Sequence, residues 1–105
     1  MIKKQYIKTR DKVKLTFEIP PEELPEGVAV KTVHIAGSFN GWKKTATPMD
    51  ALKSGTFKVT VEVDPGSEVR FRYLANKKIW FNDWKADRYE LGDQGEDNCV
   101  VTADK

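Results

Sequence analysis

Strict two-residue alternation is the feature that most limits how this chain can fold. Val13, Leu15, Phe17 and Ile19 alternate with Lys14, Thr16 and Glu18. Phe57, Val59, Val61 and Val63 alternate with Lys58, Thr60 and Glu62. Val69, Phe71, Tyr73 and Ala75 alternate with Glu68, Arg70, Arg72 and Leu74. Successive side chains of a strand leave on opposite faces, so each run describes a strand with one face buried. Val30 to Ala36 reads as a looser strand, with Val33 and Ile35 on one face. Ile79 to Phe81 and Asn98 to Thr102 read as short strands. Tyr6 and Ile7 open an edge strand among lysines, whose charge guards an edge against stray pairing. Pro20-Pro21, Pro25-Glu26-Gly27, Asn40-Gly41, Ser54-Gly55 and Asp64-Pro65-Gly66 punctuate the runs. Asn76-Lys77 reads as a tight hairpin turn, although a left-handed lysine costs roughly 1 kcal/mol. Short strands with turns every ~8–12 residues predict an all-β sandwich of about seven to eight mainly antiparallel strands.

Size and charge narrow the class further. A chain of 105 residues predicts one domain over 1–105, with 1–11 as an edge strand or a basic N-terminal arm. Apolar residues make up 39% and charged residues 32%, too polar for a membrane protein but enough for one core. A net charge of +2 selects no charged partner. The one cysteine, Cys99, allows no internal disulfide. No apolar run approaches the ~18 residues of a membrane span, and no signal-peptide core is visible, so a cytoplasmic location is expected. Charge is uneven along the chain. Residues 1–14 carry six Lys or Arg against one Asp, and residues 87–97 carry five acids against Arg88. Both runs read as solvated faces.

Catalytic chemistry finds little support. His34 is the only histidine, falls inside a predicted strand, and reads as a residue satisfied by its neighbours. No nucleophile-elbow pattern accompanies it. One His and one Cys make no zinc cluster. Asp87, Glu90, Asp93, Glu96 and Asp97 offer oxygens to calcium but lack the EF-hand spacing. A glycosidase needs two carboxyls about 5–9.5 Å apart across a cleft, which a small domain seldom builds. Arg70, Arg72, Lys77 and Lys78 near Tyr73 and Trp80 are a partial nucleic-acid pattern, opposed by the near-neutral total. No enzyme activity, metal, cofactor, nucleic acid or membrane partner is expected.

The three tryptophans carry more information. Trp42 follows the Asn40-Gly41 turn, Trp80 follows the Asn76-Lys77 turn, and Trp84 lies beyond Asn82-Asp83. Tryptophans at turns and strand ends either cap the sandwich or present flat platforms. Sugar rings carry C–H faces that pack on such platforms, while their hydroxyls need polar neighbours.

The run Gly37-Ser38-Phe39-Asn40-Gly41-Trp42 resembles the isoamylase early-set, or glycogen-binding, domain of carbohydrate-binding module family 48. Thr47-Pro48-Met49, Pro65-Gly66, Phe71-Arg72-Tyr73-Leu74 and Trp80 follow in matching order, so the resemblance covers roughly residues 12–102. It is strongest to small stand-alone bacterial members, and extends to the β subunit of AMP-activated protein kinase. The resemblance implies an immunoglobulin-like sandwich that binds α-1,4-glucan without catalysis. It implies that Trp42 and Trp80 stack on glucose rings and that Arg72 bonds sugar hydroxyls. It places Asn98, or Asp97 one residue away, in a similar role. Two departures stand out: Asn76-Lys77 replaces the usual Asp-Gly, and Trp84 replaces a usual proline. Trp84 either adds a third stacking surface or packs over its loop. The alternative to glucan binding is a structural or protein-interaction domain associated with a glycogen-metabolising enzyme.

Overall fold

The alternating runs form strands that close into a two-sheet sandwich. The computed structural model describes residues 2–92, 95 and 97–104. Its strands are β1 (Ile2–Ile7), β2 (Lys12–Ile19), β3 (Val33–Gly37), β4 (Asp50–Ala51) and β5 (Phe57–Val63). They continue with β6 (Glu68–Ala75), β7 (Ile79–Phe81), β8 (Arg88–Leu91) and β9 (Asp97–Thr102). One sheet has the order β1-β2-β5-β4, the other β3-β6-β9-β8 with β7 added on β6. Every strand pair among the described residues is antiparallel. The N-terminal segment is an edge strand and not a free arm, since β1 pairs with β2 along its whole length. No helix among the described residues is long and apolar enough to cross a membrane.

Alternation becomes packing directly. Val13, Leu15, Phe17 and Ile19 are at most 2% exposed and face Val69, Phe71, Tyr73 and Cys99 within one core. Phe17 meets Phe71 edge-on across the sheets, with centroids 4.9 Å apart. That geometry suits the ring quadrupoles, which favour edge-to-face contacts. On β5 only Phe57 is buried; Val59, Val61 and Val63 are half-buried beyond the reach of the two-residue β4.

The fold differs from expectation at three places. Two short strands, β4 and β8, are additional. The looser strand starts at Val33, so residues 30–32 run outside the ladder. Asn76 holds that segment. Its Oδ1 accepts from the N–H groups of Lys31 (2.8 Å) and Thr32 (3.3 Å), and its Nδ2 donates to the Ala29 carbonyl at 3.0 Å. Asn76 therefore serves the long connection as well as its own turn.

The hairpin is as strained as its sequence implies. Asn76 and Lys77 have φ of 52° and 62°, and the Lys78 N–H closes the turn on the Ala75 carbonyl at 3.0 Å. Two successive left-handed residues match the right-handed strand twist. Asparagine tolerates this conformation and lysine does not. Lys77→Gly is expected to stabilise the protein by about 1 kcal/mol. A urea denaturation curve showing an unchanged or lower midpoint would contradict this account of the turn.

Candidate functional site

The outward face of the second sheet collects the polar and aromatic candidates. Arg72 and Leu74 leave β6 on the side opposite Phe71 and Tyr73. Leu74 lies across from His34 of β3 on one flank and from Trp80 of β7 on the other. His34, Leu74 and Trp80 thus form one cross-strand row. The Arg72 guanidinium sits 5.3 Å from the Trp80 ring centroid. A cation over an indole face is held by the ring quadrupole, so Arg72 and Trp80 orient each other.

β7 and β9 share one edge of β6, and Asn82 seals their junction. Its Oδ1 accepts from Arg72 Nε at 3.1 Å, and its Nδ2 donates to the Asp97 carbonyl at 3.0 Å. Asn98 follows Asp97 in β9, half-buried, opposite Glu90 of β8. Because Cys99 points inward opposite Phe71, Asn98 leaves on the same outward side as Arg72. Trp80, Arg72 and Asn98 are therefore brought onto one face.

Trp42 stands on the loop after β3. It adopts φ of 60°, unusual for a bulky residue, and is 39% exposed. Strain of this kind persists only where the surroundings enforce it. Asn40 does so. Its Oδ1 accepts from the Gly37 N–H, and its Nδ2 donates to the Ile35 carbonyl and Thr47 Oγ1, each at 3.0 Å. The Trp42 N–H then closes on the Gly37 carbonyl at 2.9 Å. Gly37 must lack a side chain, because a Cβ there would collide with the Arg70 carbonyl and Phe71. The glycine and asparagine of the motif thus shape the loop that displays its tryptophan.

Trp84 does not pack over its loop: it is 64% exposed. Its turn is anchored from below by Asp83, only 3% exposed. One Asp83 oxygen accepts from the Tyr73 hydroxyl at 2.6 Å, the other from the Lys85 N–H at 2.7 Å. The Asp83 N–H donates to Cys99 Sγ at 3.3 Å, and the Asp83 carbonyl accepts from the Tyr89 hydroxyl at 2.6 Å. Burial, reinforced by Asp83, pushes the Tyr73 hydroxyl well above the usual phenol range. Burial pushes the Cys99 thiol up to about 11, so it is an inert packing group. Trp80 and Trp84 share an open groove of about 560 Å³ that Trp42 does not line.

Other expectations resolve differently. Tyr73 points into the core and is fully buried, which breaks the interleaved nucleic-acid pattern. Arg70 is committed to Glu90, its Nε donating to Oε1 at 2.8 Å. Arg70 first, and Arg88 with it, hold the Glu90 carboxyl below the usual carboxylate range. Asp87 accepts from Lys4 Nζ at 2.8 Å, tying β1 to the approach to β8. Asp93 and Glu96 lie outside the described residues. No group of three or more potential metal ligands occurs among the described residues. His34 is not satisfied by its neighbours: it is 7% exposed, and its Nδ1 is buried without a hydrogen-bond partner.

Tyr89 and Asp83 escaped the sequence reading. Tyr89 had a signal, since Arg88-Tyr89-Glu90-Leu91 alternates. Asp83 opens the run Asp83-Trp84-Lys85-Ala86-Asp87 after the second tryptophan, but nothing local marks an aspartate for burial.

The sandwich thus carries two exposed indoles, Trp42 and Trp84, and a half-buried one, Trp80, beneath the Arg72 guanidinium. The family model for carbohydrate-binding module 48, the isoamylase N-terminal domain, matches residues 29–90. The chain belongs to that family, and membership supports carbohydrate binding, of glucans in general. No curated protein matches the chain.

His34 makes a testable contribution to stability. Burial, with Lys77 adding repulsion, holds its pKa below the usual imidazole value. The unfolded chain then binds the proton first, so stability is full above about pH 6.5 and falls as pH drops below it. The urea midpoint is expected to fall between about pH 7 and 5 in the native protein, and to fall less in His34→Leu. Equal slopes in the two proteins would remove His34 from this role.

Proposed function

We propose that this chain is a non-catalytic module that binds α-1,4-glucan, as glycogen, starch or maltooligosaccharide. The observation that carries this reading is the outward Trp80 with the Arg72 guanidinium 5.3 Å from its centroid. Trp80 supplies an apolar platform for the C–H face of a glucose ring, and Arg72 supplies donors for its hydroxyls. Asn98 adds a polar group on the same face, and Trp42, on the loop after β3, is the second platform of this reading. An uncharged polymer needs no attraction by net charge, which accords with a chain of net charge +2. Asn82 and the buried Asp83 near the platform are engaged in holding the loop. A cytoplasmic setting accords with a lone, buried cysteine.

Magnitudes favour weak, multipoint binding. Two indoles shielding about 80–100 Å² each contribute some 4–5 kcal/mol gross. Ordering a flexible glucan and desolvating its hydroxyls offset part of this. A few hydrogen bonds add about 1 kcal/mol each. The balance corresponds to a Kd on the order of 0.1–1 mM per site. Retention on a granule then relies on several contacts acting together.

One observation favours a second reading, a domain that docks on a glycogen-metabolising enzyme. The edge strand β8 exposes Leu91 (75%) and Tyr89 (44%), an apolar pair on an unpaired edge. Calorimetric titration of maltoheptaose and cyclic glucans separates the two. Trp80→Ala is expected to raise the Kd for maltoheptaose by about 30-fold or more, with far-UV circular dichroism unchanged. Affinity within twofold of the native protein would overturn the Trp80 platform.

A further inference from the structure

The groove that joins Trp80 to Trp84 is not part of the sheet face. Among the described residues β7 pairs only with β6, so its other edge carries no described strand, and all three of its residues line the groove. Segment 23–25 and the turn at 82–84 line it as well, with Tyr89 and Asp97. Trp80 therefore belongs to two surfaces, the outward face and the groove along the β7 edge. At its other side the groove holds the most exposed indole of the described residues, Trp84, beside the half-exposed ring of Tyr89.

The turn carrying Trp84 is costly to build, which argues against an incidental surface residue. Burying a carboxylate is unfavourable unless its oxygens are bonded, and Asp83 is nearly fully buried to fasten this turn. Tyr73 fastens it from the core and Tyr89 from the surface. The result is an anchored turn, in place before any ligand arrives, that carries its indole into solvent. Pre-ordering removes part of the entropy cost of binding.

Chemistry selects the occupant. The lining combines aromatic and apolar side chains with the amide of Asn82 and the carboxylates of Glu23, Asp83 and Asp97, and among the described residues it includes no lysine or arginine. The carboxylates disfavour an anion there, the nearest described guanidinium being that of Arg72, over Trp80 and bonded to Asn82. A polyol finds ring faces to pack on and oxygens that accept its hydroxyls. A peptide added as a strand would gain little, because β7 offers an edge of only three residues. An α-1,4 linkage also turns each glucose relative to the last, so the chain curves and can pass around an edge.

We propose that the groove is a second station for the same glucan strand, continuous with the outward face through Trp80 and closed by Trp84 and Tyr89. A short oligosaccharide occupies the outward face. A longer one continues over Trp80 into the groove, so the module measures chain length. This rests on the glucan-binding reading given above, and the test keeps the two separable.

The experiment is calorimetry with maltotriose, maltoheptaose and straight-chain cellohexaose, using the native protein, Trp84→Ala and Trp80→Ala. Trp84 is mostly exposed, so its truncation spares the core, and a thermal melt checks this. The ratio of maltoheptaose to maltotriose affinity is expected to fall about five- to tenfold in Trp84→Ala. Cellohexaose is expected to show no such dependence on Trp84. An unchanged ratio in Trp84→Ala, with Trp80→Ala still deficient, overturns the second station and leaves the glucan-binding reading standing. Equal loss at every chain length in Trp84→Ala makes the groove the primary site and overturns the division into two stations. Undiminished maltotriose binding by Trp80→Ala overturns both readings. Binding of a Lys/Arg-rich peptide that Trp84→Ala abolishes, with no binding of any glucan, overturns the proposal in favour of a protein partner.

Discussion

Tyr73 links the core to the surface, and much of the candidate site depends on it. Its ring is fully buried, 5.5 Å from Phe71 and 5.2 Å from Phe81 between centroids. Its hydroxyl ends on Asp83 at 2.6 Å, inside the protein. The ring is held by apolar packing that a sandwich supplies anyway. The hydroxyl converts that packing into a fixed position for the turn bearing Trp84. A hydrogen bond between buried partners is stronger than its exposed counterpart and more damaging to lose. The same strand sends Arg72 outward, one residue before Tyr73, so β6 serves core and surface through its two faces.

Polar side chains do most of the positioning around the tryptophans. Asn40 shapes the Trp42 loop, Asn82 seals the junction beside Trp80, and Asn76 fastens the connection before β3. Asparagine suits these places because it donates and accepts without charge. The strained residues sit nearby: Trp42, Asn76 and Lys77 all have positive φ. His34, buried with an unpartnered Nδ1, adds a further cost on the same face. Backbone strain is not confined to this side, since Asp11 in the β1–β2 turn also has a positive φ of 48°, while the opposite sheet builds its interior from ordinary alternation.

On the glucan reading proposed above, the aromatic platforms would meet a weak ligand. Glucose offers small C–H faces and many hydroxyls already satisfied by water, so each contact yields little net free energy. On the reading proposed above, platforms spread over a face and an adjoining groove would gain by acting together on one polymer.

The fold was legible because burial on a strand is written in every second residue. Val13 to Ile19 and Val69 to Ala75 announced β2 and β6 with their inward faces. Edge lysines announced β1. β4 is too short to show a period, and β8 shows one over only four residues. The Gly37 to Trp42 run and Trp80 marked the tryptophans, because their turn residues are local. By itself, then, the sequence determined the sandwich, its longer strands and the indoles near their turns. Only the tertiary structure decided that Arg72 orients on Trp80, that Trp84 faces solvent, and that Asp83 lies buried beneath it. Those outcomes depend on pairing across β6, which brings together residues 10 positions apart in Tyr73 and Asp83 and 20 apart in Arg70 and Glu90. No local periodicity encodes such contacts, because they exist only once the strands have chosen their neighbours.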